Sequence, residues 1–409
     1  MATLLSINNY FYRRGGAEAL FLEQNRMLAQ SGWEVVPFAM QHENNLDSPY
    51  QPYFVQEIEY GKPAPLLRKI GNAQKILYSF EARRRVAQLI ALTRPDIAHA
   101  HNVYHHLSPS IFSLIRDQGI PTLMTLHDLK IACPAYKMLN DGGVCERCRD
   151  GALWQVAAQR CIKGSRMLSL LVMAESALHR LLGCYSKSVD RFIVPSRFYI
   201  DKLVQWGWQR ERFSYLPNFI DTDALRPSGV EPGDAFVYVG RLGPEKGIST
   251  FIRAAAQAGV PAWIVGVGPE EASLRRLVQE TGADATFHGY RSGTELAALI
   301  GAARALVLPS EWYENAPISV MEAYALGRPV IGADIGGIPE LIHEGETGAL
   351  FPSGDVEALA AQLRRFSRLR DAEIVDMGRS ARALAERDYS AERYCLGLLD
   401  IYRDMGVAA

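Results

Sequence analysis

Short apolar segments alternate with longer amphipathic stretches along nearly the whole chain, and the alternation recurs in both halves. We predict strands at residues 3–7, 34–40, 97–101, 121–126 and 190–195 of the first half, and at 235–240, 262–267, 286–288, 305–308 and 329–332 of the second. Such alternation predicts parallel sheets with helices on both faces, because parallel strands require crossover connections. At 409 residues the chain is too long for one ordinary hydrophobic core. The pattern therefore predicts two α/β domains.

A segment rich in proline, glycine and acidic residues, 215–233, separates the two sets of strands. We predict an N-terminal domain at residues 1–216 and a C-terminal domain that begins at residue 217. Open α/β sheets bind ligands at the carboxyl ends of their strands. Two domains that face each other form a cleft lined by both sets of strand ends, and we expect the binding site in that cleft.

The composition, 48% hydrophobic and 22% charged, is typical of a folded globular protein and excludes a disordered one. The longest apolar runs, such as 167–174, are too short and too interrupted to span a bilayer. The chain enters its first predicted strand without the basic segment and cleavage site of a signal peptide. We therefore expect a cytoplasmic protein.

The overall charge of −1 conceals an asymmetry between the halves. Residues 1–216 carry 26 Lys+Arg against 18 Asp+Glu, and the remainder carries 18 against 27. The basic excess concentrates at residues 65–85, where Arg68, Lys69 and Arg83 alternate with apolar residues. Such a face favours peripheral contact with the anionic inner membrane, although an ordinary helix with a solvated basic side has the same pattern. We expect no nucleic-acid partner, since no recognised binding module accompanies the charge.

Two glutamates, Glu314 and Glu322, flank a predicted strand-to-helix turn. The strand is 305–308, and helical spacing begins near Ile318. Backbone N–H groups at a helix N-terminus are unpaired and stabilise an anion or a polarised sugar oxygen. The alternative interpretation is a pair of solvated glutamates on a surface helix.

Two further segments have the features of a phosphate site. Arg241 and Lys246 follow a predicted buried strand, and fixed cations at a strand end can stabilise a leaving diphosphate without a metal. Gly15 and Gly16 follow the first strand and precede a helix, so the backbone there can approach a phosphate closely. The alternatives are surface cations and a plain turn.

Polar side chains also follow two strands of the first half. His127 and Asp128 follow strand 121–126, where the alternative to a functional role is a capping pair. A second polar group, after strand 97–101, comprises His101, Asn102, Tyr104 and His105. For this group we favour the binding of an acceptor, meaning the substrate that receives a transferred group, over a metal site.

Six segments occur together in the order typical of one enzyme family. They are 12–18 (YRRGGAE), 216–221 (LPNFID), 236–247 (FVYVGRLGPEKG), 265–269 (VGVGP), 309–331, which contains both glutamates, and 336–340 (GGIPE). Together they resemble the bacterial retaining glycosyltransferases of family 4, also called group 1, and the spacing from Glu314 to Glu322 resembles that family's Glu-x7-Glu motif. The resemblance covers nearly the whole chain.

The resemblance implies the GT-B fold, in which two Rossmann-like, doubly wound parallel-sheet domains face a central cleft. It implies that residues 1–216 bind the acceptor and residues 217–387 the nucleotide-sugar donor. It also implies that the last helix, at about 388–409, packs back on the N-terminal domain.

The same resemblance implies roles for individual residues. Glu314 and His127 would be catalytic, and Glu322 would bind the ribose. Backbone N–H groups at Asn315 and Ala316 would hold the donor sugar. The diphosphate would be bound by Arg241, Lys246, Gly15 and Gly16, and Tyr290 and Arg291 would bracket the base.

Four cysteines, Cys133, Cys145, Cys148 and Cys161, follow the pattern C-x11-C-x2-C-x12-C. A central Cys-x-x-Cys flanked by two more is typical of metal ligands, so we predict a structural zinc. Reduced thiols and disulfides are the alternatives, disulfides being the least favoured in a cytoplasmic protein.

These observations predict a retaining glycosyltransferase that requires no cofactor or metal for catalysis. It would move a sugar from a UDP- or GDP-linked donor to a glycan acceptor, lipid-linked, in the synthesis of an exopolysaccharide, capsule or O-antigen. The alternatives are another GT-B enzyme, such as a sugar-nucleotide epimerase, and a non-catalytic nucleotide-sugar-binding scaffold.

Overall fold

The first of two parallel sheets has the strand order β2-β1-β3-β4-β7-β8. The structure is a computed structural model that describes residues 1–57, 66–140 and 142–407, without the side chains of residues 66–70 and 72. The strands of this sheet are β1 (Thr3–Ile7), β2 (Glu34–Phe38), β3 (Ile97–Ala100), β4 (Thr122–Thr125), β7 (Arg191–Val194) and β8 (Phe213–Tyr215). Between β4 and β7 lies a short antiparallel hairpin of β5 (Leu139–Asn140) and β6 (Gly143–Val144).

Helices connect these strands. They are α1 (Gly16–Gln30), α2 (Leu66–Leu77), α3 (Phe80–Thr93), α4 (Ser110–Asp117), α5 (Trp154–Ala158), α6 (Arg166–Leu182) and α7 (Arg197–Gln205). Serines begin several of them. The Ser79 and Ser196 hydroxyls accept the backbone N–H three residues ahead, which satisfies one unpaired donor of each helix.

The second sheet is also parallel, with the order β11-β10-β9-β12-β13-β14. Its strands are β9 (Phe236–Val239), β10 (Ala262–Val265), β11 (Ala285–Gly289), β12 (Ala305–Leu308), β13 (Val330–Asp334) and β14 (Gly348–Pro352). Its helices are α8 (Ile248–Ala258), α9 (Glu271–Thr281), α10 (Gly293–Ala302), α11 (Ile318–Ala325), α12 (Val356–Arg368) and α13 (Asp371–Asp388). The predicted pair of parallel-sheet, Rossmann-like units is confirmed, whereas edge strands β8 and β14 were not predicted.

Burial explains why the central strands form where they do. Every residue of β12 is buried, and the strand lies between β9 and β13. A continuous apolar run is typical of parallel strands covered by helices on both faces. The chain leaves β12 at Pro309 and enters the loop that carries Glu314.

A final helix, α14 (Ala391–Asp404), lies against the first sheet although it follows the second in sequence. Its Leu398 and Tyr402 are fully buried and share a core cluster with Leu4 and Ile97 of the first sheet. Ser390 caps the helix. The last helix thus joins the two halves of the chain.

The predicted basic face falls partly outside the description, since Pro65 and the side chains of Arg68 and Lys69 are not among the described residues. Arg83, which is described, donates to the Ser110 carbonyl at 2.6 Å and to Ser113 Oγ at 2.7 Å. Among the helices described, none has the length and apolar character needed to cross a membrane.

Candidate functional site

Glu314 lies in the loop between β12 and α11, only 6% exposed. Lys246 Nζ and Ser310 Oγ each donate to Glu314 Oε1 at 2.7 Å. Burial acts to raise the pKa of Glu314, but the Lys246 charge and these hydrogen bonds outweigh it, so the pKa is lowered. The site therefore contains a buried carboxylate in direct contact with the Lys246 side chain. Ser310 was not predicted from the sequence, although it lies two residues after the end of β12.

Two glycine turns hold this loop by close backbone contact. Gly247 has a φ of +63°, and a Cβ there would lie 1.8 Å from the Pro309 carbonyl oxygen. Gly336 also has a φ of +63°, and a Cβ there would lie 2.5 Å from the Glu314 carbonyl oxygen. Only glycine permits both the positive φ and the approach. The loops after β9 and β13 thus support the Glu314 loop from opposite sides.

The N-terminus of α11 faces the glycine loop of the first sheet. A Cβ on Gly16 would lie 3.0 Å from Ile318 Cδ1 at the start of α11, so this turn and that of Gly15 lie beside the helix end. Glu322, one turn further along α11, is half-buried. Burial raises the pKa of Glu322, and the charge of Arg13 acts against that rise. The Gly15–Gly16 turn and the N-terminus of α11 therefore lie side by side.

Side chains from the first half of the chain reach the loop that precedes α11. Asn315 Nδ2 donates to the Leu126 carbonyl at 3.0 Å, and Asn315 Oδ1 accepts from Ser196 Oγ at 2.8 Å. Asn218 Nδ2 donates to the Ala316 carbonyl at 2.8 Å. Leu126 immediately precedes His127. The Asn315–Leu126 hydrogen bond thus brings the predicted His127 and Glu314 segments together across the cleft. Ser196 and Asn218, to which the sequence assigned no role in the site, add contacts to the same loop.

Arg241 and Lys246 both follow β9. Arg241 forms an ion pair with Glu245, while Lys246 contacts Glu314. Glu245 is 3% exposed, and its pKa is lowered because backbone hydrogen bonding and nearby cations outweigh the effect of burial. Glu245 belongs to the 236–247 motif, but no role was predicted for it, because its burial cannot be read from the motif.

His127 belongs to a stack of three imidazoles. His127 Nε2 lies 2.9 Å from His101 Nδ1, and the His101 ring stacks on His99 with centroids 4.7 Å apart. Behind them, His99 Nδ1 lies 2.8 Å from the Tyr402 hydroxyl of α14. Burial lowers the pKa of His127 to about 4 and that of His99 to about 3. The stack is therefore neutral near pH 7.

The other predicted acceptor residues have partners within the first half of the chain. Tyr104 donates to Asp128 Oδ1 at 2.8 Å. His105 Nδ1 lies 3.1 Å from Glu175 Oε1. The Asn102 backbone N–H donates to Asn8 Oδ1 at 3.1 Å.

Tyr290 and Arg291 follow edge strand β11. Tyr290 is 68% exposed, and Arg291 Nε lies 3.6 Å from Glu295 Oε2. Both lie at the carboxyl end of the second sheet, and their assignment to the base stays a prediction.

The structure does not support the predicted zinc. No disulfide joins the described cysteines, and among the described residues no three His, Cys, Asp or Glu side chains are grouped so as to hold a metal ion. Burial raises the pKa of Cys133 to about 11. Burial and the neighbouring thiols raise the pKa of Cys148 to about 12. Zinc binding would itself lower the pKa of a coordinating thiol, because zinc binds the thiolate. The assignment of Cys133, Cys145, Cys148 and Cys161 to a zinc site stays a prediction.

Comparison with known families gives matches along most of the chain. The model described as Glycosyltransferase Family 4 matches residues 14–224, about half of the chain, and the model described as Glycosyl transferases group 1 matches residues 223–383. The chain belongs to glycosyltransferase family 4. The D-inositol 3-phosphate glycosyltransferase of Rhodococcus erythropolis is 30% identical over 330 residues, which cover 76% of this chain and 68% of that one. The amylovoran biosynthesis glycosyltransferase AmsK of Erwinia amylovora is 30% identical over 218 residues, which cover 49% of this chain and 53% of that one.

Several relatives are matched over only part of their length. The matched relatives from Escherichia coli and Salmonella typhimurium are covered over 54% and 41% of their own length. The chain thus spans about half the length of the curated relatives it matches there.

Solved structures of this fold superpose on the entire chain. Sucrose-phosphate synthase from Thermosynechococcus elongatus gives a TM-score of 0.74 at 22% identity, with 100% of both chains covered. Anabaena HepE in complex with UDP and glucose gives 0.68 at 16% identity, with 99% of this chain and 100% of that one covered. At these identities the likeness concerns the fold, which is GT-B.

Proposed function

We propose that this family 4 chain transfers a sugar from a nucleotide-diphospho-sugar to a glycan acceptor. The observation that carries the proposal is the Lys246–Glu314 contact beside the N-terminus of α11 and the Gly15–Gly16 turn. A carboxylate, fixed cations and unpaired helix N–H groups suit a donor whose diphosphate gains negative charge as its sugar gains positive charge.

We infer a role for each part of the site. Lys246 and Arg241, with the Gly15–Gly16 turn, bind the diphosphate. Glu322 accepts hydrogen bonds from the ribose, while backbone N–H groups at Asn315 and Ala316 hold sugar hydroxyls. Tyr290 and Arg291 bracket the base. In this scheme residues 217–387 bind the donor, and residues 1–216 with the helix at about 388–409 bind the acceptor.

The proposed reaction retains the anomeric configuration. The bond between the anomeric carbon and the β-phosphate oxygen breaks, and the acceptor oxygen bonds to that carbon on the same face. The acceptor proton passes to the departing phosphate oxygen. Glu314 stabilises positive charge at the anomeric carbon, and neutral His127 contacts the donor sugar and the acceptor. Lys246 and Arg241 counter the charge on the leaving group, so the scheme needs no metal.

The acceptor is proposed to be a lipid-linked glycan of a bacterial surface polysaccharide. The name of the AmsK relative, which refers to amylovoran biosynthesis, supports a polysaccharide pathway. Contact with an anionic membrane is supported by the basic excess of residues 1–216 and by Phe80, whose side chain is 65% exposed near Arg84. If this contact exists, we expect the protein to co-sediment with anionic vesicles but not with neutral ones.

The donor is proposed to be UDP- or GDP-linked. The structural likeness to HepE, which was solved with UDP and glucose, supports UDP.

A thermal-stability screen with UDP-, GDP-, dTDP- and ADP-sugars tests the proposal. We expect one donor class to stabilise the wild type, and Glu322→Ala and Lys246→Ala to lose that stabilisation. Glu280→Ala, at an exposed position of α9, is the matched control and should keep it. If no donor stabilises the folded wild type, the donor site is wrong. Stabilisation followed by release of free sugar without an acceptor would favour the epimerase alternative.

A further inference from the structure

A third cation, Lys137, reaches the diphosphate region from the opposite side of the cleft. It follows β4 in the first half of the chain, yet its Nζ lies 3.5 Å from Glu245 Oε1 in the turn after β9. The Arg241 guanidinium pairs with the same carboxylate oxygen. One buried carboxylate therefore holds two cations that belong to different sheets.

Three cations share two carboxylates at this point. Arg241 and Lys137 both contact Glu245, and Lys246 contacts Glu314. The contact between Lys137 and Glu245 is longer than an ordinary charged hydrogen bond of about 2.8 Å. The Lys137 side chain is 31% exposed, whereas the Glu245 side chain is only 2% exposed. Lys137 can therefore turn towards an incoming anion at low cost, while Glu245 stays in place.

The backbone holds Lys137 in position. The flanking residues Tyr136 and Met138 have φ values of +59° and +46°, a conformation that residues other than glycine adopt only at a cost. The Met138 side chain is fully buried, and its carbonyl accepts the Cys145 N–H at 2.7 Å. Such strained residues cluster at ligand clamps, where the surrounding structure enforces them.

A second contact fixes the same segment to the donor side. Glu146 Oε1 accepts from the Tyr313 hydroxyl at 3.0 Å and from Lys202 Nζ at 2.7 Å. Tyr313 immediately precedes Glu314. Lys137 and Glu146 are thus each held against a loop that carries proposed donor-binding groups.

We propose that Lys137 is a third diphosphate-binding cation, delivered across the cleft from the acceptor side. The inference rests on the proposed function of the site. Glu245 holds Lys137 near the proposed diphosphate position. When the donor binds, Lys137 transfers its contact to a phosphate oxygen, and Arg241 remains paired with Glu245 or shares the phosphate. The donor then links both sheets, so donor binding stabilises the closed cleft.

Titration calorimetry with nucleoside diphosphates and monophosphates of the base found in the donor screen tests this role. Lys137→Met keeps the apolar stem and removes the charge, whereas Lys137→Arg keeps the charge. We expect Lys137→Met to bind the diphosphate about tenfold more weakly, with a smaller loss for the monophosphate. Lys137→Arg should recover most of the affinity. Lys187→Ala, at an exposed lysine just after α6, is the control and should bind as the wild type does.

The outcomes separate this inference from the function on which it rests. If the wild type binds the diphosphate and Lys137→Met binds it equally well, Lys137 has no part in the site while the donor site stands. Equal losses for diphosphate and monophosphate would point to a general change of the segment and would also overturn the role. If the wild type binds no nucleoside diphosphate, both proposals fail. Thermal denaturation of the ligand-free variants confirms that each is folded.

Discussion

At the scale of single residues, the charge state of Glu314 determines what the site can do. The carboxylate is buried, and a buried charge persists only when it is paired and hydrogen-bonded. Lys246 and Ser310 meet that requirement in the ligand-free chain. Lys246 therefore has two roles, because it stabilises a buried anion and lies where a diphosphate would bind.

Removing Lys246 should destabilise the fold in a pH-dependent way. Lys246→Met leaves the Glu314 charge buried without its partner, which we expect to cost about 3 kcal/mol of unfolding free energy at pH 7. The pKa of Glu314 is lowered on folding, so the pair stabilises the fold above the ordinary glutamate pKa of about 4.5. That stabilisation is lost as the pH falls through the lower folded pKa.

Urea unfolding of the wild type and Lys246→Met between pH 7 and pH 3 measures this difference. The penalty should shrink towards pH 3, and Glu314→Gln combined with Lys246→Met should restore most of the stability. A penalty that is the same at both pH values would contradict the pairing.

Gly247 and Gly259 allow a matched test of the close approach between Gly247 and the Pro309 carbonyl. Both have positive φ, at +63° and +67°. A Cβ at Gly247 would collide with the Pro309 carbonyl, whereas one at Gly259 meets nothing within 4 Å. We expect Gly259→Ala to cost about 1 kcal/mol, and Gly247→Ala to cost at least about 2 kcal/mol more because of the collision. Equal midpoints in urea for the two variants would show that the contact is unimportant.

At the scale of elements, α14 connects the histidine stack to the end of the chain. Its Tyr402 hydroxyl contacts His99, and its Tyr394 hydroxyl donates to Gln24 Oε1 at 2.7 Å. The helix therefore supports the polar residues behind His127 as well as covering the first sheet.

Alanine substitutions at Leu398 and Leu396 of α14 distinguish the effect of lost packing from the effect of a changed helix propensity. Leu398 is fully buried and Leu396 is 50% exposed. Leu398→Ala should reduce the unfolding free energy by about 3 kcal/mol, and Leu396→Ala by less than about 0.5 kcal/mol. Chemical denaturation of both variants measures the difference, and a small loss for Leu398→Ala would mean that α14 is not docked as described.

The elements also show how far the sequence alone could predict this molecule. The strand at 305–308 was predicted with its observed bounds because a strand covered on both faces is a continuous apolar run. β8 was missed because Phe213, Ser214 and Tyr215 are half-buried at a sheet edge, where the burial pattern is weak. β14 begins with a glycine and ends with a proline, which disguise an edge strand.

The site could be predicted only where motif residues follow strand ends, as Glu314 and Lys246 do. Contacts between the halves, such as Lys137 with Glu245, depend on how the two sheets are placed, and sequence spacing carries no such information. The zinc interpretation depends on the same kind of information. Cysteine spacing indicates that ligands could converge, whereas the described residues show no grouping of metal ligands, so the zinc site stays a prediction.

At the scale of the whole molecule, side chains from both halves close the cleft around one loop. Glu340, after β13, accepts the backbone N–H groups of Arg197 and Phe198 at the start of α7. Asn315 and Asn218 add contacts on either side of the same loop. The donor-side loops are thus held against the first sheet, which suits a reaction that must exclude water.

The central claim is that Glu314 stabilises positive charge at the reacting centre. The most direct test is to measure the release of nucleoside diphosphate from the donor found in the stability screen. The wild type is compared with Glu314→Gln and Lys246→Met. The account predicts that Glu314→Gln still binds the donor but releases diphosphate at least about a hundredfold more slowly, because charge stabilisation at the reacting centre is lost. Lys246→Met should lose both binding and release. Release by Glu314→Gln at the wild-type rate, with the donor bound, would contradict the account.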